Sequence, residues 1–116
     1  MIQLSQHDTI AAIATAPGNA GIGVIRISGK NITSFIQQLC GKQNLIARYA
    51  TYTSFYDEEK KVIDQGLALF FQAPHSFTGE NVLELQCHGG TIVLKRLLKR
   101  CIALGARQAQ PGEFSQ

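Results

Sequence analysis

Hydrophobic and β-branched residues occur in short blocks separated by glycine, proline and charged residues along the whole chain. The block GVIRIS, residues 23–28, is rich in β-branched residues and predicts a strand. Further strands are predicted at residues 9–15, 48–56, 62–72, 82–87 and 106–109. Within the fourth of these six blocks, Gly66 is expected to mark a kink or a β-bulge. A charged turn is predicted at residues 57–61.

Two segments have the spacing of amphipathic helices instead. In residues 31–40, apolar side chains recur on one helical face, and Gly41 is expected to end the helix. These side chains belong to Ile32, Phe35, Ile36, Leu39 and Cys40. The second helix is predicted to begin at Thr91, as N-cap, and to end at Gly105. Its apolar positions are Val93, Leu94, Leu97, Leu98, Cys101 and Ile102.

The order of these elements predicts the α+β class, with a mixed β-sheet covered by two or three helices. A chain of 116 residues is long enough for one domain with one core. The chain stops shortly after Pro111, Gly112 and Glu113, without a capped helix or a charged tail. We therefore expect this to be part of a longer protein.

The composition of the chain limits the cellular compartments and the binding partners that are expected for it. The three cysteines, Cys40, Cys87 and Cys101, form no CxxC pair, which excludes a disulfide framework and a zinc motif and favours a reducing, cytoplasmic location. Residues 1–8 lack the apolar stretch of a signal peptide, and no apolar run reaches membrane-spanning length. The net charge of +3 is too small to indicate a nucleic-acid partner by itself.

The glycine-rich segment GNAGIG, residues 18–23, has the order GxxGxG and opens a strand. A dinucleotide-binding loop has the order GxGxxG and opens a helix, so that function is excluded. The following GVIRISGKN has five residues between its glycines, whereas a phosphate-binding loop has four. Asn31 also stands where such a loop carries Ser or Thr, so nucleotide binding by this segment is excluded as well. The segment around Gly21 and Gly23 is either a plain turn or a close approach of backbone to a ligand or partner.

Two charged residues lie inside apolar strands: Arg26 between isoleucines and Glu84 between leucines. A buried unpaired charge costs several kcal/mol, so each side chain requires a partner. They pair with each other, or they line a ligand pocket. In a pocket, the two oxygens of the carboxylate would accept from a ring N–H and an exocyclic amine of a pterin or a guanine.

Other candidate residues are less informative. Cys87 and His88 are adjacent, but neighbouring strand residues point to opposite faces and cannot form a dyad. His88, Gly89 and Gly90 stand at the entry to the second helix, where an anion would be favoured, although a loop histidine bonded to backbone explains the residue equally well. No metal-binding motif involves the histidines.

Three blocks of the sequence together resemble the MnmE (TrmE) family of tRNA-modifying GTPases. DTIAAIATAPGNAGIGVIRISG, residues 8–29, is similar to the family's opening motif. APHSFTGENVLELQCHGG, residues 73–90, and GARQAQPGEFSQ, residues 105–116, are similar to its second and third motifs. The three blocks occur in the family's order and spacing across nearly the whole chain.

The resemblance implies that residues 1–116 are an N-terminal domain that binds tetrahydrofolate and mediates dimerisation, before a helical domain and a GTPase domain. The family's fold is similar to the folate-binding region of the glycine-cleavage T-protein. The implied ligand is 5-formyl-tetrahydrofolate or a related folate. The family acts with the flavoprotein MnmG to add an aminomethyl-type group to carbon 5 of the wobble uridine in tRNA. GTP, magnesium and potassium belong to the GTPase domain, so this chain alone should not hydrolyse GTP.

By the same resemblance, Arg26 and Glu84 match the family's folate-binding arginine and glutamate. Gly21, Gly23, the His88-Gly89-Gly90 turn and Glu113 are further candidates for the pocket or the dimer seam. A third family contact, a lysine after the last motif, lies beyond this chain. Asn19, Ala20 and Asn81 depart from the usual motifs and remove charge there.

Two alternative functions stay open. A stand-alone one-carbon transferase, like the glycine-cleavage T-protein, requires a catalytic group for which Cys87 and His88 are the available candidates. A tRNA-binding module would use the basic cluster of the second helix, which a solvated helix face also explains. That cluster consists of Lys95, Arg96, Lys99 and Arg100.

Overall fold

The architecture is a six-stranded mixed sheet with two helices, as given by a computed structural model that describes residues 9–14, 22–73 and 79–114. This confirms the predicted α+β class. In chain order the elements are β1 (Ile10–Ile13), β2 (Gly23–Gly29), α1 (Ile32–Cys40), β3 (Thr51–Tyr56), β4 (Val62–Phe71), β5 (Asn81–Cys87), α2 (Gly90–Ala103) and β6 (Arg107–Gln108).

The strands are ordered β3-β4-β5-β2-β1-β6 across the sheet. Every neighbouring pair is antiparallel except β1 and β6, which run parallel and make the sheet mixed. The two central strands, β2 and β5, are paired over seven positions, from Gly23 opposite Cys87 to Gly29 opposite Asn81. The centre of the sheet is therefore its most extensively paired part.

The hydrophobic core lies between one face of the sheet and both helices. Ile25 and Ile27 of β2 and Leu83 and Leu85 of β5 are fully buried there. Alternate residues of a strand point to opposite faces, so the intervening positions of β2 and β5 form the other face of the sheet, called the outer face below. Helix α1 buries the five apolar side chains predicted for it. Helix α2 buries Leu94, Leu97 and Cys101, whereas Ile102 is 43% exposed.

The helix ends follow local chemistry. Gly41 ends α1 in the left-handed conformation, at φ 66°, as predicted. After α2, Gly105 donates to the Ile102 carbonyl and Ala106 donates to the Cys101 carbonyl, both at 3.0 Å, which forms a Schellman motif. The predicted Thr91 N-cap is wrong, because α2 already begins at Gly90 and no side chain of the N-cap residue, Gly89, caps it.

The third and fourth strands differ from the prediction in detail. Residues 48–50 are not in β3, and Arg48 has φ 64°, a left-handed conformation that ends extended structure. The register between β3 and β4 shifts between Phe55 and Tyr56, which leaves Ile63 as the extra residue of a bulge. The pairing is regular where Thr53 lies opposite Gly66, so of the kink or bulge predicted at Gly66 the bulge is wrong. Gly66 instead lies where a Cβ would collide with the Gln86 carbonyl oxygen of β5.

Alanine substitutions at Gly66 and Gly23 should lower the stability of the fold by different amounts, because the added Cβ meets backbone in one case and a side chain in the other. In Gly66→Ala the colliding atom belongs to the β5 backbone, so β4 and β5 must separate, and we expect a loss of about 3 kcal/mol or more in the free energy of unfolding. In Gly23→Ala the colliding atoms belong to the Leu94 side chain, which can shift, and we expect a loss of about 1–2 kcal/mol. Urea denaturation of both variants measures the difference, and equal losses would contradict the close approach at Gly66.

Candidate functional site

Arg26 and Glu84 lie directly opposite each other on the two central strands. The Arg26 Nε donates to Glu84 Oε1 at 3.0 Å, which makes an ion pair across the outer face. Gln86, two residues along β5 and on the same face, donates from Nε2 to Glu84 Oε2 at 3.0 Å. The carboxylate is therefore held from two sides, one oxygen by each neighbour.

Burial makes this pairing necessary. The Glu84 side chain is 11% exposed and the Arg26 side chain is 31% exposed. A carboxylate so far from water requires charge compensation and hydrogen bonds, which Arg26 and Gln86 supply. Each carboxylate oxygen can accept two hydrogen bonds, so one acceptor position on each oxygen is left after these contacts. The structural explanation of the pair is thus compatible with a ligand contact.

Apolar side chains continue the row on both sides of the ion pair. Ala12 of β1 is paired with Arg26, and Leu69 of β4 is paired with Glu84. Neither α1 nor α2 packs on this face, since their buried side chains belong to the core on the other side. Half-buried apolar side chains beside a carboxylate and a guanidinium can pack against an aromatic ring that carries polar edges.

The turn of His88, Gly89 and Gly90 already binds a carboxylate that belongs to the protein itself. The Asp64 carboxylate of β4 accepts from the backbone N–H groups of His88, at 2.8 Å, and Gly89, at 3.0 Å. The His88 side chain is exposed, and its Nδ1 atom lies 3.3 Å from the Gln65 carbonyl oxygen. An anion is favoured at a helix N-terminus, and here the protein itself supplies one. The role of Asp64 was missed, because its separation of 24 residues from His88 gives no local signal.

Cys87 and His88 do not form a nucleophilic pair. The Cys87 side chain is fully buried in the core, whereas His88 is exposed. Burial raises the pKa of the Cys87 thiol to about 12, with a smaller contribution from the Asp64 charge. The thiol is therefore neutral and out of reach of a substrate, so the requirement of the transferase hypothesis is not met at this residue.

Of the remaining candidates, Gly23 and Gly90 serve the packing and the start of α2. Gly23 points towards the helices, where a Cβ would collide with the Leu94 side chain, so this position permits the packing of α2 on β2. Gly21 lies outside the described residues. Gly90 has φ 82°, a left-handed conformation at the start of α2 that glycine adopts without strain.

Glu113 is held by Arg107 in a bidentate ion pair. Arg107 donates from both terminal nitrogens, at 2.9 Å to Oε1 and at 2.8 Å to Oε2. The Gln110 backbone N–H also donates to Oε1 of the same carboxylate. These contacts lower the pKa of Glu113 to about 2, the Arg107 hydrogen bonds contributing most. The Glu113 carboxylate thereby holds the turn that follows β6 against Arg107, which lies on β6 at the edge of the sheet.

No three His, Cys, Asp or Glu side chains in residues 9–14, 22–73 and 79–114 come together as metal ligands would. Over the same ranges, neither helix has the length and apolar character needed to cross a membrane.

Comparison with known protein families matches nearly the whole chain to one of them. Residues 9–116 match the family described as "GTP-binding protein TrmE N-terminus". The chain belongs to this family, as the three sequence motifs indicate.

Individual relatives carry a common name, tRNA modification GTPase MnmE. The chain is 57% identical to that protein of Chromobacterium violaceum and 61% identical to that of Neisseria meningitidis serogroup A, each over 108 residues. It is 62% identical to that of Xylella fastidiosa over 109 residues. These alignments cover 93–94% of the chain but 24% of each relative, so the chain spans about a quarter of their length.

The depressed pKa of Glu113 predicts a pH-dependent attachment of the turn after β6. A folded-state pKa of about 2, below the ordinary value of 4.5, means that the ion pair contributes stability above pH 4.5 and loses it as pH falls towards 2. An NMR titration should therefore give a Glu113 midpoint near 2, returning towards 4.5 in the variant Arg107→Gln. A midpoint near 4.5 in the unmodified chain would contradict the bidentate pair.

Proposed function

We propose that this chain is the folate-binding and dimerisation domain of a tRNA modification GTPase, with residues 1–116 forming that domain. The observation that carries the proposal is the Arg26–Glu84 pair on the outer face. It combines a nearly buried carboxylate, a partly exposed guanidinium and free acceptor positions beside apolar surface. The proposed ligand is 5-formyl-tetrahydrofolate or a related folate.

The chemistry of a pterin suits this arrangement. A carboxylate can accept from a ring N–H and an adjacent exocyclic amine with its two oxygens, in the way it accepts from an arginine fork. Glu84 takes this role, and Gln86 and Arg26 hold its oxygens in place. Arg26 also keeps about a third of its side chain exposed, which leaves the guanidinium able to face a polar part of the ligand.

The homodimer is proposed from the open edge of the sheet. Strand β3 is an edge strand, and Tyr52 on it is 64% exposed. The segment that leads into β3 adds Ile46, 69% exposed, and Tyr49, 64% exposed. Exposed aromatic side chains are enriched in interface cores, and an unprotected sheet edge favours pairing with another chain. We propose that a second copy covers this edge.

For the whole protein we propose the activity that the relatives' name states. The chain would serve a GTPase that modifies tRNA in the cytoplasm with MnmG as its partner, adding an aminomethyl-type group to carbon 5 of the wobble uridine. GTP, magnesium and potassium would bind outside this chain, and the folate would supply or position the one-carbon unit. The similarity of this domain to the folate-binding region of the glycine-cleavage T-protein stays a prediction.

Calorimetric titration with 5-formyl-tetrahydrofolate tests the folate site. The variant Glu84→Gln keeps the shape of the side chain and removes the charge, so we expect affinity to fall about 10- to 100-fold. The control Glu58→Gln removes an exposed carboxylate beside the helices and should bind as tightly as the unmodified chain.

Thermal unfolding of the same samples separates ligand contact from structural role. A Glu84→Gln chain that is folded but binds poorly supports the proposal. Unchanged binding would contradict it, and loss of folding would assign the pair to stability alone.

Sedimentation of the chain tests the dimer. The monomer has a mass of 12.7 kDa, and we expect a species of about twice that mass. Placing a charge at the proposed seam with Tyr52→Lys should produce monomers, since burying an unpaired ammonium is strongly unfavourable. Ile92→Lys, at a site that is 75% exposed on α2, is the matched control and should leave the dimer intact. Dissociation by both variants, or by neither, would contradict the assignment of the seam to β3.

A further inference from the structure

The positive charge of this chain is concentrated on one surface, on the helical side of the sheet. Two adjoining clefts there, of about 570 Å³ and 440 Å³, share Asp57, Glu58 and Arg100 in their walls. Lys42 and Lys60 line the first cleft, and Arg96 and Lys99 line the second. Together the two clefts, here called the basic groove, run between the C-terminal end of α1, the β3–β4 turn and the second half of α2.

The charge balance of the groove differs from that of the remaining chain. With the flanking Lys61 and Lys95, this surface has seven basic and three acidic residues, a net charge of +4. The other four basic and five acidic residues of the chain give −1. The overall charge of +3 is therefore an incomplete description, because the whole positive excess lies on one surface.

Two of the three acidic residues of the groove, Asp57 and Glu59, are engaged within the protein. Asp57 accepts from the backbone N–H groups of Glu59, at 2.8 Å, and Lys61, at 2.9 Å, and lies 3.8 Å from Arg96. Glu59 pairs with Lys61 at 3.4 Å. Among the described residues, no carboxylate lies within ion-pair distance of Lys42, Lys60 or Lys99. These three ammonium groups are available to an external anion.

Helix α2 places like charges next to each other on its surface. Lys95 and Lys99, and likewise Arg96 and Arg100, are separated by four residues and lie next to each other on its surface. Like charges at this spacing destabilise a helix. Arg100 is held in the groove by a hydrogen bond from its Nε to the Tyr56 carbonyl, at 3.4 Å, which directs the guanidinium before any ligand arrives. An extended anion that contacts several of these groups would relieve the repulsion.

We propose that the basic groove binds the phosphate backbone of RNA. The choice of RNA rests on the tRNA-modification function proposed above, and the composition of the groove agrees with it. Besides the basic residues, the walls contain the amides of Gln37, Gln38 and Gln43 and the ring of Tyr56. Amide and tyrosine side chains contact the sugars and phosphates of nucleic acids beside arginine and lysine.

The groove and the proposed folate site lie on opposite faces of the sheet. The groove is on the side of α1 and α2, whereas Arg26 and Glu84 are on the outer face. The two ligands would therefore not compete, and a change in the groove should leave folate binding as it is.

Fluorescence anisotropy with a labelled, unmodified tRNA transcript tests the groove. In the double variant Lys42→Glu with Lys99→Glu, we expect affinity at 0.1 M salt to fall about tenfold or more. The slope of log affinity against log salt should become shallower by about two, roughly one for each lysine contact that is lost. The control Lys30→Glu with Arg48→Glu makes the same change in net charge away from the groove and should bind tRNA almost as the unmodified chain does.

A variant that is expected to strengthen tRNA binding shows that the loss of affinity in the groove variant is not caused by unfolding. Glu58→Gln removes a negative charge shared by both clefts, so tRNA binding should become tighter by a few-fold. Equal losses in the groove variant and its control, no salt dependence, or weaker binding by Glu58→Gln would each overturn the proposal.

Two further measurements identify the partner and separate the two proposals. Binding to vesicles that contain anionic lipid as tight as binding to tRNA would overturn RNA as the occupant. Titration of the groove variant with 5-formyl-tetrahydrofolate should match the unmodified chain. If tRNA binding is lost and folate binding kept, the groove is supported independently; if folate binds to no variant, the folate proposal fails and the groove stands on its own data.

Discussion

The pairing of β2 with β5 is the interaction on which the rest of this structure depends. Its seven consecutive residue pairs fix which side chains point to the helices and which point to the outer face. A slip of one residue in either strand would move Ile25 and Ile27, or Leu83 and Leu85, out of the core. The same slip would send one member of the ion pair to the apolar side. Core formation and the placement of Arg26 opposite Glu84 are thus consequences of one register.

Sequence patterns predicted the elements well where local chemistry decides them. Helix α1 and its buried face follow from apolar spacing and from Gly41, and the two strand charges stood out because charge is rare inside apolar strands. Contacts between distant segments could not be predicted in this way. Asp64 bonded to the turn at His88, and Gly66 placed against the β5 backbone, both result from strand order, which a single sequence does not specify.

The candidate site shows the same division between local and distant information. That Arg26 and Glu84 require partners follows from their neighbours in sequence. That they pair with each other, at 3.0 Å, follows from the register, and the sequence alone left this open beside the ligand pocket. The two explanations are compatible, because a carboxylate fixed by protein contacts is better prepared to receive a ligand than a mobile one. Preorganisation of this kind links the stability of the central strands to recognition.

Strand β6 has only two residues, yet it joins the two ends of the described chain. It pairs with β1 in parallel, so Arg107 lies beside Ile10 after nearly the whole sequence has intervened. Contacts across such long intervals are entropically costly and tend to form late in folding. We therefore expect the edge next to β1 to close after α2 has packed and its Schellman turn has directed the chain back to the sheet. In a domain built in this way, the last strand can pair only after the other elements have formed. This dependence favours a single cooperative folding transition.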